Sequence, residues 1–363
     1  MHARDKAPVF VVGSARSGNT MLYHMLLSSG HFPAYRAEPV VFDLILPRFG
    51  DLRSAAARRK LMRYWLRSRQ FRRSGLDAGQ ITEKVMASVR SGGDFLRVVM
   101  GEMARAGGYQ RWAVWGPDNL LYMPEIKRQI PEALFIHVIR DGRDVALALN
   151  RRGFIRPFAW DQNYQLMVSA LHWMWKVRTG RRYAQGFPQD YMEVRFEDLV
   201  LNPSEALKTV GAFIGETLDY DEIRRAGIGS LRLPNTSFTE ELEAHKFSPV
   251  GRWKSSLSKD EIDRVEGLTG NLLVELGYPL TSSGRVDPGW RLRAMRSLYP
   301  AFYDLKEWFK TATPAGRLVK MGRMHLDEIE PSSYDGGAVG SLTSPQELTQ
   351  PGNSLAGLGK NHF

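Results

Sequence analysis

The 363-residue chain predicts an α/β protein in three layers, a central and mainly parallel sheet flanked by helices. Three apolar runs carry that reading. Val9-Phe10-Val11-Val12 and Ala133-Leu134-Phe135-Ile136-His137-Val138-Ile139 are continuous rather than alternating, the pattern of strands buried on both faces. Tyr191-Met192-Glu193-Val194-Arg195-Phe196 is the third, and helical stretches separate all of them, as parallel strands require.

In chain order, residues 1–7 form a short arm before a domain expected over 8–280. The first strand breaks at Gly13–Asn19, and from Thr20 the residues Met21, Leu22, Met25, Leu26 and Leu27 cover one helical face up to Gly30. Residues 54–74 interleave Arg58, Arg59, Lys60, Arg63, Arg67, Arg69, Arg72 and Arg73 with Leu61, Tyr64, Trp65, Leu66 and Phe71, an amphipathic helical insertion with a solvated basic face. After Pro124 come a helix, the strand 133–139, the turn Arg140-Asp141-Gly142-Arg143, and a helix through Val145 and Leu149. The strand at 191–196 leads into Glu197-Asp198-Leu199 and, after Pro203, a further helix. A basic helical C-terminal extension is expected over 281–330, with Trp290, Leu298, Phe302, Leu305, Trp308 and Phe309 among Arg and Lys, and a Gly/Ser/Thr/Pro-rich mobile tail over 331–363.

Composition narrows the chemistry. With no cysteine, disulfides, thiolate catalysis and zinc–thiolate sites are excluded. Fifty Lys+Arg against 39 Asp+Glu leave +11, which points to an anionic ligand or surface. No run approaches the roughly 18 apolar residues of a membrane helix, and the run after the charged start is shorter than a signal core, so a cytoplasmic protein is expected. The basic amphipathic stretches add peripheral contact with an anionic membrane to that expectation.

Gly13-Ser14-Ala15-Arg16-Ser17-Gly18-Asn19-Thr20 links a strand to a helix, where backbone N–H groups and the helix dipole make an anion site. The spacing is that of a P-loop, so the fold is read as P-loop-like, but Asn19 stands at the lysine position and the cation has moved to Arg16. This loop, with its Arg-Ser-Gly-x-Thr core, resembles the 5′-phosphosulfate loop of the sulfotransferases that use 3′-phosphoadenosine-5′-phosphosulfate (PAPS). Three later segments resemble the same family in the same order. Phe135 to Asp144 is similar to its 3′-phosphate strand and loop, Val194 to Leu199 to its adenine segment, and Val250-Gly251-Arg252-Trp253-Lys254 to its late cofactor loop. The resemblance spans residues 8 to about 280. It implies that Arg16, Ser17, Gly18, Asn19, Thr20 and Met21 hold the 5′ end of PAPS, Arg140 the 3′-phosphate, Phe196 the adenine, and Arg252, Trp253 and Lys254 the closing loop. Two positions depart from the family: Ala148 occupies the usual serine site, and Phe196 replaces the commoner Tyr.

The acceptor hydroxyl needs a general base. Where many cytosolic members carry Lys-x-His, this chain reads Trp115-Gly116-Pro117-Asp118-Asn119; where carbohydrate and tyrosyl-protein branches use a glutamate, it has Glu38. Glu38 leads and Asp118 follows. His137 reads as a core histidine, His24 and His31 as candidates for the pocket mouth, and Trp173 or Trp175 as borders of the acceptor site. No histidine has metal-ligand spacing, so no catalytic metal is expected. The resemblance implies in-line transfer of a sulfuryl group from PAPS to a carbohydrate, lipid or natural-product hydroxyl, with release of PAP, in a bacterial-type enzyme. A P-loop kinase, a non-catalytic PAP- or PAPS-binding protein and a nucleic-acid binder are the alternatives; no nucleic-acid module is legible, so no specific nucleic acid is expected.

Overall fold

Val9–Gly13 (β1) and Leu134–Ile139 (β3) are the inner strands of a four-stranded parallel sheet ordered β2-β1-β3-β4, with Ala113–Trp115 (β2) and Tyr191–Arg195 (β4) at its edges. Val9 stands opposite both Ala113 and Leu134, and Ile139 opposite Arg195. The architecture comes from a computed structural model that describes residues 4–232, 235–238, 240–241, 244–281, 289–313 and 315–316. The expected tail over 331–363 lies outside the described residues, as do 317–330 of the extension.

Successive side chains of a strand point to opposite faces, which explains the unbroken apolar runs. Phe10, Val12, Val114 and Phe135 pack with Val41, Leu61, Trp65, Phe95 and Met100 on one side. On the other, Val9, Val11, Leu134, Ile136 and Val138 pack with Leu22, Leu26, Leu207 and Val210. Each such side chain contributes about 1.5–3 kcal/mol on burial, so β1 and β3 have no face that tolerates a polar residue without a partner.

A third apolar cluster joins Gly142–Arg152 (helix α1), Gln165–Ala184 (α2), Lys259–Glu275 (α3) and Gly289–Ala312 (α4). From α4, Leu292, Met295, Tyr299 and Tyr303 point inward. Trp175 Nε1 donates to Asp304 (2.8 Å), Tyr122 Oη to Glu307 (2.6 Å) and Tyr299 Oη to Asp161 (3.0 Å), so the helix of the basic extension is docked along its length. Among the described residues, no helix is long and apolar enough to cross a membrane.

The insertion at 54–74 is two helices, Ala55–Trp65 and Arg69–Ser74. Ser68 ends the first, its hydroxyl donating to Trp65 O, and caps the second by accepting from Phe71 N–H. Its basic face is not wholly solvated: Arg58 is buried and donates to the carbonyls of Leu52 and Arg53 at 2.7 and 2.8 Å.

His137 is fully buried in β3, as a core histidine. Tyr191 Oη donates to Glu193 (2.8 Å), so it accepts from His137 Nδ1 (2.6 Å) and fixes the neutral tautomer. Burial, aided by Arg181 and Lys176, pushes this imidazole down to about 3; burial and then Arg36 push His24 down to about 4. Below the ordinary histidine value of about 6.5, the unfolded chain takes up protons that the folded one refuses. Stability from these groups is therefore complete above that value and drains as the pH falls towards 4 and 3. The urea midpoint is expected to fall steadily from about pH 7 to about pH 4.5, with a shallower fall in His137→Gln; a flat profile in the unaltered protein contradicts the assignment.

Candidate active site

Four of the segments singled out in the sequence lie at the C-terminal ends of the strands, where parallel sheets place their ligand crevices. Gly13–Asn19 leaves β1, Gly116–Asn119 leaves β2, Arg140–Gly142 leaves β3 and Phe196 follows β4. The helix Asn19–Ser28 continues from the first loop, and its N-cap, Gly18, supplies no side-chain cap. Met21 N–H donates to Gly18 O (3.0 Å), which leaves the N–H groups of Asn19 and Thr20 for an anion.

Close approach dictates the loop's glycine. Gly18 has φ +98°, and a Cβ there would stand 2.2 Å from Phe196 Cδ2. Asn19, at the lysine position of a P-loop, donates from Nδ2 to Ser14 O (2.9 Å); its side chain shapes the loop and supplies no charge. Ser17 Oγ is buried with no hydrogen-bond partner among the described residues.

Arginines surround this loop. The nearly buried Arg140 donates to Arg16 O (3.1 Å) and Pro249 O, lies 3.7 Å from Asp144 and sits 4.5 Å from the centroid of the Phe196 ring. Phe196 is itself buried between Gly18 and this guanidinium. Arg16, at φ +67°, donates to Asn235 O (3.1 Å) and Oδ1 (3.3 Å). Burial, then Arg152 and Arg140, pushes Arg16 down to about 10; burial also lowers Arg140, and Arg252 adds to it. The Nε atoms of Arg16, Arg140 and Arg252 are buried without partners among the described residues. Guanidiniums that disfavour one another's charge and carry unused donors form a site for a multiply charged anion.

The late loop is held from below. Asp144 accepts from Gly251 N–H (2.8 Å) and Trp253 N–H (2.9 Å). Trp253 is buried, its Nε1 donating to Asp141 (3.1 Å) and its ring lying 3.7 Å from the Arg143 guanidinium. Arg252 pairs with Glu241 and stacks 3.6 Å from the centroid of Phe238, whereas Lys254 is exposed. Trp253 thus anchors the loop with its ring, and Lys254 offers a cation to solvent.

Glu38 lies against Gly116 at the end of β2, two residues before Asp118 in the chain. A Cβ on Gly116 would stand 3.1 Å from Glu38 Oε1 and 2.8 Å from Asn119 Nδ2, so the missing side chain makes room for the glutamate. Asp118 pairs with Lys176 at 2.5 Å; the lysine is buried, and the carboxylate side chain is 44% exposed. Lys176, from α2, also donates to Pro117 O (3.4 Å). It brings a cation beside the 115–119 segment that the segment itself lacks. Its one signal was a lysine inside a core-facing helical run. Arg152, which bears on Arg16, carried no sequence signal.

His24 lies within the helix and accepts at Nδ1 from Ser230 N–H (2.7 Å), and His31 contacts Thr217 O and Glu216, so both rings are engaged in holding neighbouring segments. Ala148 is buried, and Trp173 packs against Gly142 within the core. Among the described residues no cluster of His, Asp or Glu is placed to hold a metal ion.

Residues 8–221 match the sulfotransferase family. The chain is also similar to the sulfotransferase domain of the Synechococcus PCC 7002 olefin synthase, at 17% identity and TM-score 0.50 over 75% of this chain and 95% of that one. A sulfotransferase domain from the curacin biosynthetic pathway matches at 16% identity and TM-score 0.48, over 75% and 98%.

Gly18→Ala tests the loop. A left-handed alanine costs roughly 1–2 kcal/mol and must displace the Phe196 ring, so the thermal midpoint is expected to drop by roughly 2–4 °C. Affinity for PAP, read by calorimetry, is expected to fall at least about tenfold; unchanged affinity removes the loop from the anion site.

Proposed function

The chain belongs to the sulfotransferase family, with PAPS as its sulfuryl donor, and from that premise we propose that Glu38 deprotonates an acceptor hydroxyl held beside the Gly13–Asn19 loop. The observation that carries this reading is the uncapped loop with the Arg16 and Arg140 guanidiniums converging on it. The donor groups fit: the buried unpartnered Ser17 Oγ and the loop amides suit the 5′-phosphosulfate, and Arg140 the 3′-phosphate. PAPS supplies the sulfuryl group, whose bond to the 5′-phosphate oxygen breaks as the acceptor oxygen bonds to sulfur. Arg16 and the loop amides stabilise the charge that develops on the departing phosphate. Glu38 takes the hydroxyl proton. A proton delivered to Asp118 instead would break its pair with buried Lys176, which favours Glu38 as base. A kinase reading is disfavoured because the Asn19 side chain is spent on Ser14 O.

The test begins without an acceptor. PAP is expected to bind in the micromolar range, with AMP and ATP–Mg²⁺ at least about tenfold weaker; a preference for ATP–Mg²⁺, or no binding, overturns the reading. Glu38→Gln is expected to bind PAP normally and to lose about 10²–10⁴-fold in turnover, whereas full activity moves the base elsewhere.

We place the enzyme in the cytoplasm, docked peripherally on an anionic membrane. Its outward face on α4 supports this: Trp290 is 79% exposed, Leu305 60% and Trp308 58%, with Leu298 and Phe309 also exposed. Helical spacing puts these five on one stripe, about 27 Å from Trp290 to Trp308, flanked by the exposed Arg293. Co-sedimentation with phosphatidylglycerol vesicles at low salt, lost with phosphatidylcholine and reduced at least about tenfold in Trp290→Ser/Leu298→Glu, is the expected result. No association with anionic vesicles, or a stripe that instead closes a dimer by light scattering, overturns it.

A further inference from the structure

Beneath α4 lies a cavity of about 310 Å³, bounded by α2, the turn Pro117–Tyr122 and the segment 154–156. Asp118 and Lys176 belong to its lining, and Asp118 stands two residues beyond Gly116, against which Glu38 lies. Its walls are aromatic, from Phe154, Trp175, Phe302 and Tyr303. Two polar atoms in this lining have no partner among the described residues. Tyr303 Oη and His172 Nδ1 are both buried and unbonded, their rings meeting edge to face at 5.3 Å. Buried polar atoms without partners mark a place where something else supplies the hydrogen bond.

Charge is arranged along the same walls. Lys306 and Lys310 from α4 and Arg156 from the opposite side face the cavity, with Lys176 also in the lining. Against them stand Asp43, Asp118 and Glu307. Asp118 is taken up by Lys176 (2.5 Å), and Glu307 accepts from Tyr122 Oη (2.6 Å) while Lys310 lies 3.9 Å from it. Among the described residues Lys306 has no such close pair: burial and Lys310 lower its affinity for a proton, with Glu307 and Asp118 acting the other way. A second negative group brought in by a ligand would relieve that repulsion.

We propose that this cavity is the acceptor subsite, and that it selects a hydroxyl compound whose apolar body ends in an anionic group, held by Lys306 and Lys310. The aromatic walls take the body, the two lysines take a carboxylate or phosphate, and the hydroxyl reaches Asp118, Lys176 and Glu38. This assignment rests on the sulfotransferase reading and adds the chemical class of the acceptor to it.

The probes are a hydroxyphenylpropanoate and a long-chain ω-hydroxy fatty acid, each against its methyl ester, titrated calorimetrically into the PAP-loaded full chain. At least one acid is expected to bind about tenfold or more tighter than its ester, the size of a charge-assisted contact. In Lys306→Met/Lys310→Met that preference should collapse to about one while PAP affinity stays unchanged. Equal binding of acid and ester, a preference that survives in the double variant, or no binding of any of the four compounds overturns the proposal. Failure of the unaltered protein to bind PAP overturns the sulfotransferase reading instead, and it is read first.

Discussion

The guanidinium of Arg143, buried between Asp141 and Glu266, is the interaction on which the site's geometry rests. Asp141 grips it through two contacts at 3.0 and 2.7 Å, Glu266 through a third at 2.5 Å, and Pro279 O accepts at 3.0 Å. The same Asp141 receives the Trp253 indole, and its backbone N–H donates to Glu197 (3.0 Å), which Tyr278 also reaches. One buried cluster therefore joins the ends of β3 and β4, the late loop and the far end of the domain. Removing a single member would leave an uncompensated buried charge, at about 3–5 kcal/mol. An apolar cluster of equal volume could be as stable, so the return on burying these charges lies in geometry. Arg140, one residue before Asp141, can then touch the β1 loop and the late loop at once.

Much of this was legible in the chain because local pattern decided it. Continuous apolar runs marked β1 and β3, and the loop between β1 and the first helix stood out because only glycine fits against Phe196 at position 18. β2 was not legible. Three residues show no period, and Ala113–Trp115 is a strand only because β1 offers it a partner. The long-range pairs were equally hidden: Lys176 meets Asp118 across 58 residues, and a lysine in a helix announces neither burial nor partner. Arg58 was misread for a related reason, since helical spacing cannot show that the preceding loop turns two carbonyls towards it.

Trp253 shows how a matching motif can conceal a division of labour. The Gly-x-Trp-Lys pattern suggested a loop whose side chains meet the cofactor, yet the indole faces inward onto Asp141 and Arg143. Asp144 holds the loop's amides in register, and burial raises that carboxyl even as Arg140 and the two N–H groups oppose the shift. What the loop presents outward is Lys254.

The helix α4 unites the two surfaces on which acceptor choice turns. Its inward face is pinned through Tyr299, Asp304 and Glu307, which sets Lys306 and Lys310 over the cavity. Its outward stripe repeats at seven- and eight-residue intervals from Trp290 through Leu298 to Leu305, the rhythm of a second apolar face, and nothing in the described fold packs the exposed Trp290 away from water. A helix apolar on both sides is stable only if each side is covered. The fold covers one of them. A molecule with an apolar body and a charged end concentrates where water meets lipid, so a helix lying in that boundary would bring its own cavity to the place where such acceptors collect. The basic residues of α4 then have two tasks, divided by their position around the helix: Arg293 towards the surface, Lys306 and Lys310 towards the bound molecule.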